Sequence, residues 1–165
     1  MKNSLNDSPL TSQNNLITIQ LLTVEYAKAV YKLIDESRPQ LKNLIWSQNA
    51  TLESTIVFIQ NKQQSQDNIF GVFNNDNLIG VLELRKKENF TELGYWLGTK
   101  YSGQGLMKFA VKNLVDKQCK LNTIIAHIRA NNKASYQILK YAGLTYEHSE
   151  LWQGEEWLHF KKNKE

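Results

Sequence analysis

At 165 residues, with 41% hydrophobic and 22% charged side chains and four Trp, seven Tyr and six Phe, the chain has the length and apolar content of one folded domain, which excludes wholesale disorder and leaves no room for two full domains. Its apolar runs, such as Ile56 to Ile59, are far too short for a membrane helix, and a single cysteine, Cys119, excludes an internal disulfide. Twenty basic against sixteen acidic residues give +4, but seventeen of the cations are Lys and only Arg38, Arg85 and Arg129 are Arg, so the charge suits an anionic ligand better than dedicated nucleic-acid binding.

The polar residues 1–15 lack the apolar run of a secretory signal, so a flexible tail and a cytoplasmic setting are expected, with one domain over residues 16–165. Leu16 to Leu22 is rich in β-branched residues and reads as a strand. Thr23 then offers a cap for a helix from Val24 to about Asp35, with Ala27, Val30, Tyr31 and Ile34 on one face, and Pro39 limits it by disfavouring helical geometry at Arg38. A second helix is predicted from about Thr51 to Lys62, with Leu52, Thr55, Ile56 and Ile59 inward. Ile69 to Phe73 and Leu78 to Leu84 form a hairpin around Asn74-Asn75-Asp76-Asn77, residues that tolerate positive φ. Glu92 to Leu97 is the next strand. The segment Gly98 to Gly105 leads into a helix from Leu106 to Gln118, whose apolar side holds Leu106, Met107, Phe109, Ala110, Val111 and Leu114, with Lys108, Lys112 and Asp116 on a wet face. Thr123 to Ile128 reads as a strand, Asn132 to Ala142 as a helix ended by Gly143, and Thr145 to Trp152 with Glu156 to Lys161 as closing strands around Gln153-Gly154. A meander followed by strand-helix-strand excludes a purely parallel doubly wound sheet and fits an α+β domain, one mixed sheet with about four helices.

The segment before the Leu106 helix is the most informative. A helix start presents backbone N–H groups without intrahelical partners, together with the positive end of the helix dipole. Gly103 and Gly105 let a diphosphate-sized anion approach them, because they lack a Cβ and reach positive φ. A plain strand-to-helix turn is the competing reading of a lone Gly-x-Gly. The nucleotide-loop spacing is absent, and the dinucleotide fingerprint fails where Lys108 occupies its third glycine. No Gly-x-Ser-x-Gly elbow occurs. His127, His148 and His159 lie far apart in sequence, and no His or Cys pair has ligand spacing, so no metal site is expected.

Gly94-Tyr95-Trp96-Leu97-Gly98, Lys100-Tyr101-Ser102-Gly103-Gln104-Gly105-Leu106-Met107, Asn131-Asn132-Lys133-Ala134-Ser135 and Gly143-Leu144 resemble, in order and spacing, successive blocks of the GNAT superfamily of N-acetyltransferases. Within it the chain is most similar to the ribosomal-protein (RimJ/RimL-like) branch, whose substrate-side helical segment Arg38-Pro39-Gln40-Leu41 with Trp46 also resembles. The resemblance runs from about Leu16 to Phe160. It implies the acyl-CoA N-acyltransferase fold, a splayed mixed sheet with acetyl-CoA between the strand ending at Leu97 and the strand Thr123 to Ile128. Pantetheine would follow Trp96, Leu97 and Gly98, and the pyrophosphate would rest on backbone N–H groups from Tyr101, Ser102, Gly103, Gln104, Gly105, Leu106 and Met107. Asn132 and Ser135 match cofactor-contacting positions and also suit helix capping. Arg38 and Trp46 would line the acceptor side.

Acetyl transfer from a thioester to an amine needs a neutral nucleophile, a place for the oxyanion and a proton for the thiolate. A protein α-amine, with an ordinary pKa of about 7.7–8.0, is partly neutral already, so a weak base acting through water suffices. Glu92 is the candidate base, on the strand face it shares with Gly94 and Trp96. Many relatives carry a tyrosine as acid where this chain has Leu139, which leaves Ser135 as the expected donor. Lys100 stands where Gln or Arg is common, and Gln153 to His159 follows the family's C-terminal pattern only loosely, with Leu158 near its acidic place. The expected activity is acetyl transfer from acetyl-CoA to a primary amine, plausible acceptors including the N-terminus of a ribosomal protein, without metal, membrane or direct nucleic-acid binding, by a monomer or homodimer. A non-catalytic CoA-binding or ribosome-associated module is the alternative that Leu139 invites.

Overall fold

Hairpin and helix signals in the chain are met at nearly the expected places. The structure, a computed structural model, describes residues 10–12, 15–42 and 44–165. Its strands are β1 (Leu10–Ser12), β2 (Asn15–Leu21), β3 (Asn68–Asn74), β4 (Asn77–Lys86), β5 (Thr91–Leu97), β6 (Ile124–Arg129), β7 (Thr145–Trp152) and β8 (Glu155–Lys162). The helices are α1 (Ala27–Ser37), α2 (Ile45–Gln48), α3 (Leu52–Gln64), α4 (Leu106–Gln118) and α5 (Lys133–Tyr141). Of the expected tail, residues 1–9, 13 and 14 lie outside the described residues, while Leu10–Ser12 pair antiparallel with residues 15–17. Packing divides the chain into two units, residues 1–83 with 95–106 and residues 84–94 with 107–165.

In the first unit the strands follow the order β1-β2-β3-β4-β5. β2 and β3 are antiparallel from Ile17↔Asn74 to Leu21↔Phe70, and Asn75 and Asp76, at φ +47° and +70°, make the two-residue turn between β3 and β4. Helices α1 and α3 close an apolar cluster of Leu22, Ala27, Val30, Ile34, Ile59, Ile69, Phe73 and Val81 against these strands. Thr51 starts α3 with a reciprocal box: its Oγ1 accepts from Ser54 N–H at 3.0 Å, and its own N–H donates to Ser54 Oγ at 2.9 Å. The expected cap at Thr23 is corrected, because the chain enters α1 through a 3-10 turn over Val24–Tyr26 and Thr23 makes no side-chain cap bond.

In the second unit the order is β4-β5-β6-β8-β7. β6 runs parallel to β5, with Thr91↔Ile124 and Glu92↔Ile125 in register, and antiparallel to β8, which in turn pairs antiparallel with β7. One parallel pair among antiparallel ones is the mixed sheet that the element order implied. Met107, Ala110, Val111, Leu114 and Val115 bury the inner stripe of α4, and Leu139 of α5 is 0% exposed. Gln153 and Gly154 turn between β7 and β8 at φ +50° and +78°. A bulge interrupts β7 between Tyr146 and His148.

Candidate active site

In the first unit, the end of β5 and the start of α4 are tied down by short-range bonds. Gly98 N–H donates to Ile79 O at 2.8 Å, and a Cβ on Gly98 would collide with the Leu33 side chain, so this glycine serves close approach. Thr99 N–H donates to Ser37 Oγ at 3.1 Å, anchoring the 3-10 turn Thr99–Tyr101 to the end of α1. Ser37 was not singled out from sequence, since nothing local marks a serine that meets a backbone sixty-two positions on. Gly103 and Gly105 both take positive φ, +77° and +70°, just before α4 begins at Leu106. Ser102, Gly103, Gln104 and Gly105 are exposed, and a Cβ at Gly103 would meet nothing within 4 Å. Tyr101 and Ser102, expected to offer their N–H groups, spend them inside the 3-10 turn on Gly98 O at 2.9 Å and Thr99 O at 3.1 Å, so the backbone that suits a diphosphate is the stretch from Gly103 to the start of the thirteen-residue helix. Leu106 and Met107 have buried side chains, so only their main chain can face a ligand.

Trp96 of β5 packs against the apolar cluster and against Trp46, with ring centroids 5.7 Å apart. Trp46 lies on α2, a single turn of helix that sequence reasoning missed because four residues show no period. Arg38 holds that turn. Its guanidinium donates to Asp35 Oδ1 at 2.8 Å, to the carbonyls of Ser47 and Gln48, the latter at 3.1 Å, and to Ala50 O at 2.7 Å. With these four bonds Arg38 positions Trp46, rather than offering a free cation to an acceptor. Lys100 is likewise engaged, 2.9 Å from Glu36 Oε2, which raises the Lys100 pKa and lowers that of Glu36.

In the second unit, Glu92 of β5 receives a bidentate contact from Arg85, Nε at 3.2 Å and Nη2 at 3.1 Å, and lies 3.4 Å from His127 Nδ1. The contact with His127, then that with Arg85, outweighs partial burial and lowers the Glu92 pKa to about 2. A Cβ on Gly94 would face the same Arg85 guanidinium, which puts Glu92 and Gly94 on one face of β5 as alternation requires. So acidic a carboxyl is a permanent anion near neutrality and a poor acceptor of protons. Asn132 caps α5, its Oδ1 accepting from Ser135 N–H at 3.1 Å, while the Ser135 side chain is half-buried. Leu139 is sealed in the core, and Tyr136 and Tyr141 pack edge-on against Phe160 and Phe109.

The three histidines, far apart in sequence, are brought together. His159 of β8 stands opposite His127 of β6 and His148 of β7, with ring centroids 4.3 Å apart in both pairs. Burial, followed by the neighbouring His127, lowers the His159 pKa. Only a knowledge of strand register, including the β7 bulge, would have revealed this row.

Residues 17–145 match a family model described as an acetyltransferase (GNAT) domain. The ribosomal-protein-serine acetyltransferase of Escherichia coli (strain K12) is 26% identical over 143 residues, 79% of this chain and 80% of that protein. RimL, a ribosomal L7/L12 alpha-N-protein acetyltransferase solved with coenzyme A, superposes with a TM-score of 0.80 at 19% identity, over 95% of this chain and 98% of that one. The microcin C7 self-immunity acetyltransferase MccE, solved with acetyl-CoA and AMP, gives 0.79 at 20% identity, over 97% and 98%. The mixed sheet flanked by helices is the acyl-CoA N-acyltransferase fold. The chain belongs to the GNAT acetyltransferase family and is an enzyme that uses acetyl-CoA as its acetyl donor.

Proposed function

We propose that this acetyltransferase modifies the N-terminal α-amine of a protein, a ribosomal protein foremost, by direct transfer within a ternary complex. The observation that carries the acceptor is the 26% identity over 143 residues with an enzyme named for a serine of a ribosomal protein. Backbone N–H groups from Gly103 to Met107 hold the pyrophosphate, those of Tyr101 and Ser102 being engaged by Gly98 O and Thr99 O, and the main chain at Trp96 and Leu97 pairs with pantetheine, Gly98 N–H being spent on Ile79 O; Asn132 and Ser135 match further cofactor-contacting positions of the family. The amine lone pair attacks the thioester carbonyl, the C–S bond breaks, and the Ser135 hydroxyl relays a proton to the departing thiolate, regaining through water the one that the acetylated nitrogen releases. Glu92, given its low pKa, acts as a fixed negative charge that favours the positive nitrogen developing in the transition state, the proton leaving through water. Trp46, 46% exposed, offers the acceptor an apolar surface, and Arg38 fixes it there.

The test is a competition in one tube among a serine-initiated peptide with a free α-amine, the same peptide blocked at its N-terminus but carrying lysine, and a polyamine. With acetyl-CoA present, mass spectrometry should find the acetyl group on the α-amine first. Acetylation confined to lysine or polyamine overturns the proposed acceptor.

A further inference from the structure

His148 and His159, at the β7 end of the histidine row, offer a chemistry that the acetyl transfer does not use. The β7 bulge reverses the alternation of that strand, so Tyr146 packs on Phe160 while His148 turns to the opposite face and meets His159 across the ladder. Two residues further along the same face lies Glu150, whose Oε1 is 3.2 Å from His159 Nε2. That nitrogen is shielded from solvent, yet it is not aligned for a hydrogen bond with the carboxylate. One ligand atom from each of His148, Glu150 and His159 falls within 4.8 Å of the others.

We propose that His148, His159 and Glu150 form a surface site for a borderline divalent transition-metal ion, of the zinc, nickel or copper kind. Two imidazole nitrogens and one carboxylate oxygen are the donor set such ions take, whereas magnesium and calcium prefer oxygen alone. Three protein ligands with water as the fourth complete a tetrahedron, with metal–ligand bonds of about 2.0–2.2 Å. The present stack of His148 on His159, 16° from parallel, opens by rotation of the exposed His148 ring so that both nitrogens point to one centre. His159 is the fixed member, held between strands β6 and β7, and His148 and Glu150 are the arms that close. The site stands on the geometry of these strands alone, so its failure would leave the acetyltransferase reading untouched.

The experiment is calorimetric titration of the untagged, chelator-treated full chain with zinc chloride and nickel chloride, with magnesium chloride in parallel. One equivalent of zinc or nickel should bind with a micromolar dissociation constant, and magnesium should give no binding heat. His148→Ala should weaken binding at least about tenfold. The same loss is expected for His159→Ala, provided its circular dichroism matches wild type. Copper(II) added to the wild type should show nitrogen hyperfine coupling from two imidazoles by electron paramagnetic resonance, and from one in His148→Ala. Binding no tighter than millimolar, wild-type affinity in His148→Ala, or an unchanged nitrogen count would each overturn the site.

Discussion

Gly105 holds its φ of +70° at the threshold of α4, and an L-residue with a branched Cβ is strained there. We expect Gly105→Val to weaken acetyl-CoA binding at least about tenfold while the fold persists, measured by calorimetric titration beside circular dichroism. Ser135 presents two separable groups: its N–H, which Asn132 accepts, survives substitution, whereas its hydroxyl does not. Ser135→Ala should therefore lower kcat about tenfold or more and change acetyl-CoA affinity little, a split that steady-state kinetics and direct binding resolve together. Glu92 has a folded pKa of about 2, below its ordinary 4.5, so its stabilisation is complete above about pH 4.5 and is lost as the pH falls towards 2. Glu92→Gln should remove that part of the acid-induced fall in Tm, and an unaltered pH profile would deny the ion pair its weight. At this scale the glycines were legible because φ > 0 selects them locally. The partners of Lys100 and most of those of Arg38 were not, since Glu36 lies sixty-four positions away and three of Arg38's four acceptors are carbonyls, which carry no sequence signature.

Single elements show the same division. The helix from Leu106 to Gln118 has the bounds that helical period predicted, because it is long enough to repeat its pattern, and the strand from Thr145 to Trp152 has those marked by Gly143 before it and Gln153-Gly154 after it. α2 is held instead by Arg38 and by Ser47, whose Oγ donates to Leu41 O at 2.9 Å and Leu44 O at 2.7 Å. Arg38→Ala removes four charge-assisted or carbonyl bonds at once and should lower Tm measurably. Trp46 should report it by a change in emission, and Arg38→Lys should rescue little, since an ammonium cannot span the same acceptors. Retention of wild-type Tm and emission in Arg38→Ala would show that α2 stands without this pin. The histidine row belongs to this scale as well: each strand was legible, but the one-residue slip in β7 that aligns His148 with His159 was not.

For the molecule as a whole, the family match over residues 17–145 makes acetyl-CoA a natural stabiliser of the folded state. At a hundredfold excess over its dissociation constant the cofactor should add about 2.7 kcal/mol, a rise in Tm of roughly 5–11 °C for a chain of this size. A melting scan with and without acetyl-CoA checks it, and no shift at saturation would contradict the cofactor assignment. The fold class was readable from the order of elements, whereas its pairings depend on contacts between distant segments that no local pattern encodes. The last strand of the sheet, β7, has every residue exposed and, among the described residues, β8 alone beside it. An unpaired rim of that length invites other chains to zip onto it, yet this one is kinked at its start and carries Glu147 and Glu150. Crooked and negatively charged, it makes a poor template for sticking, and the protein's behaviour at high concentration rests on that flaw staying in place.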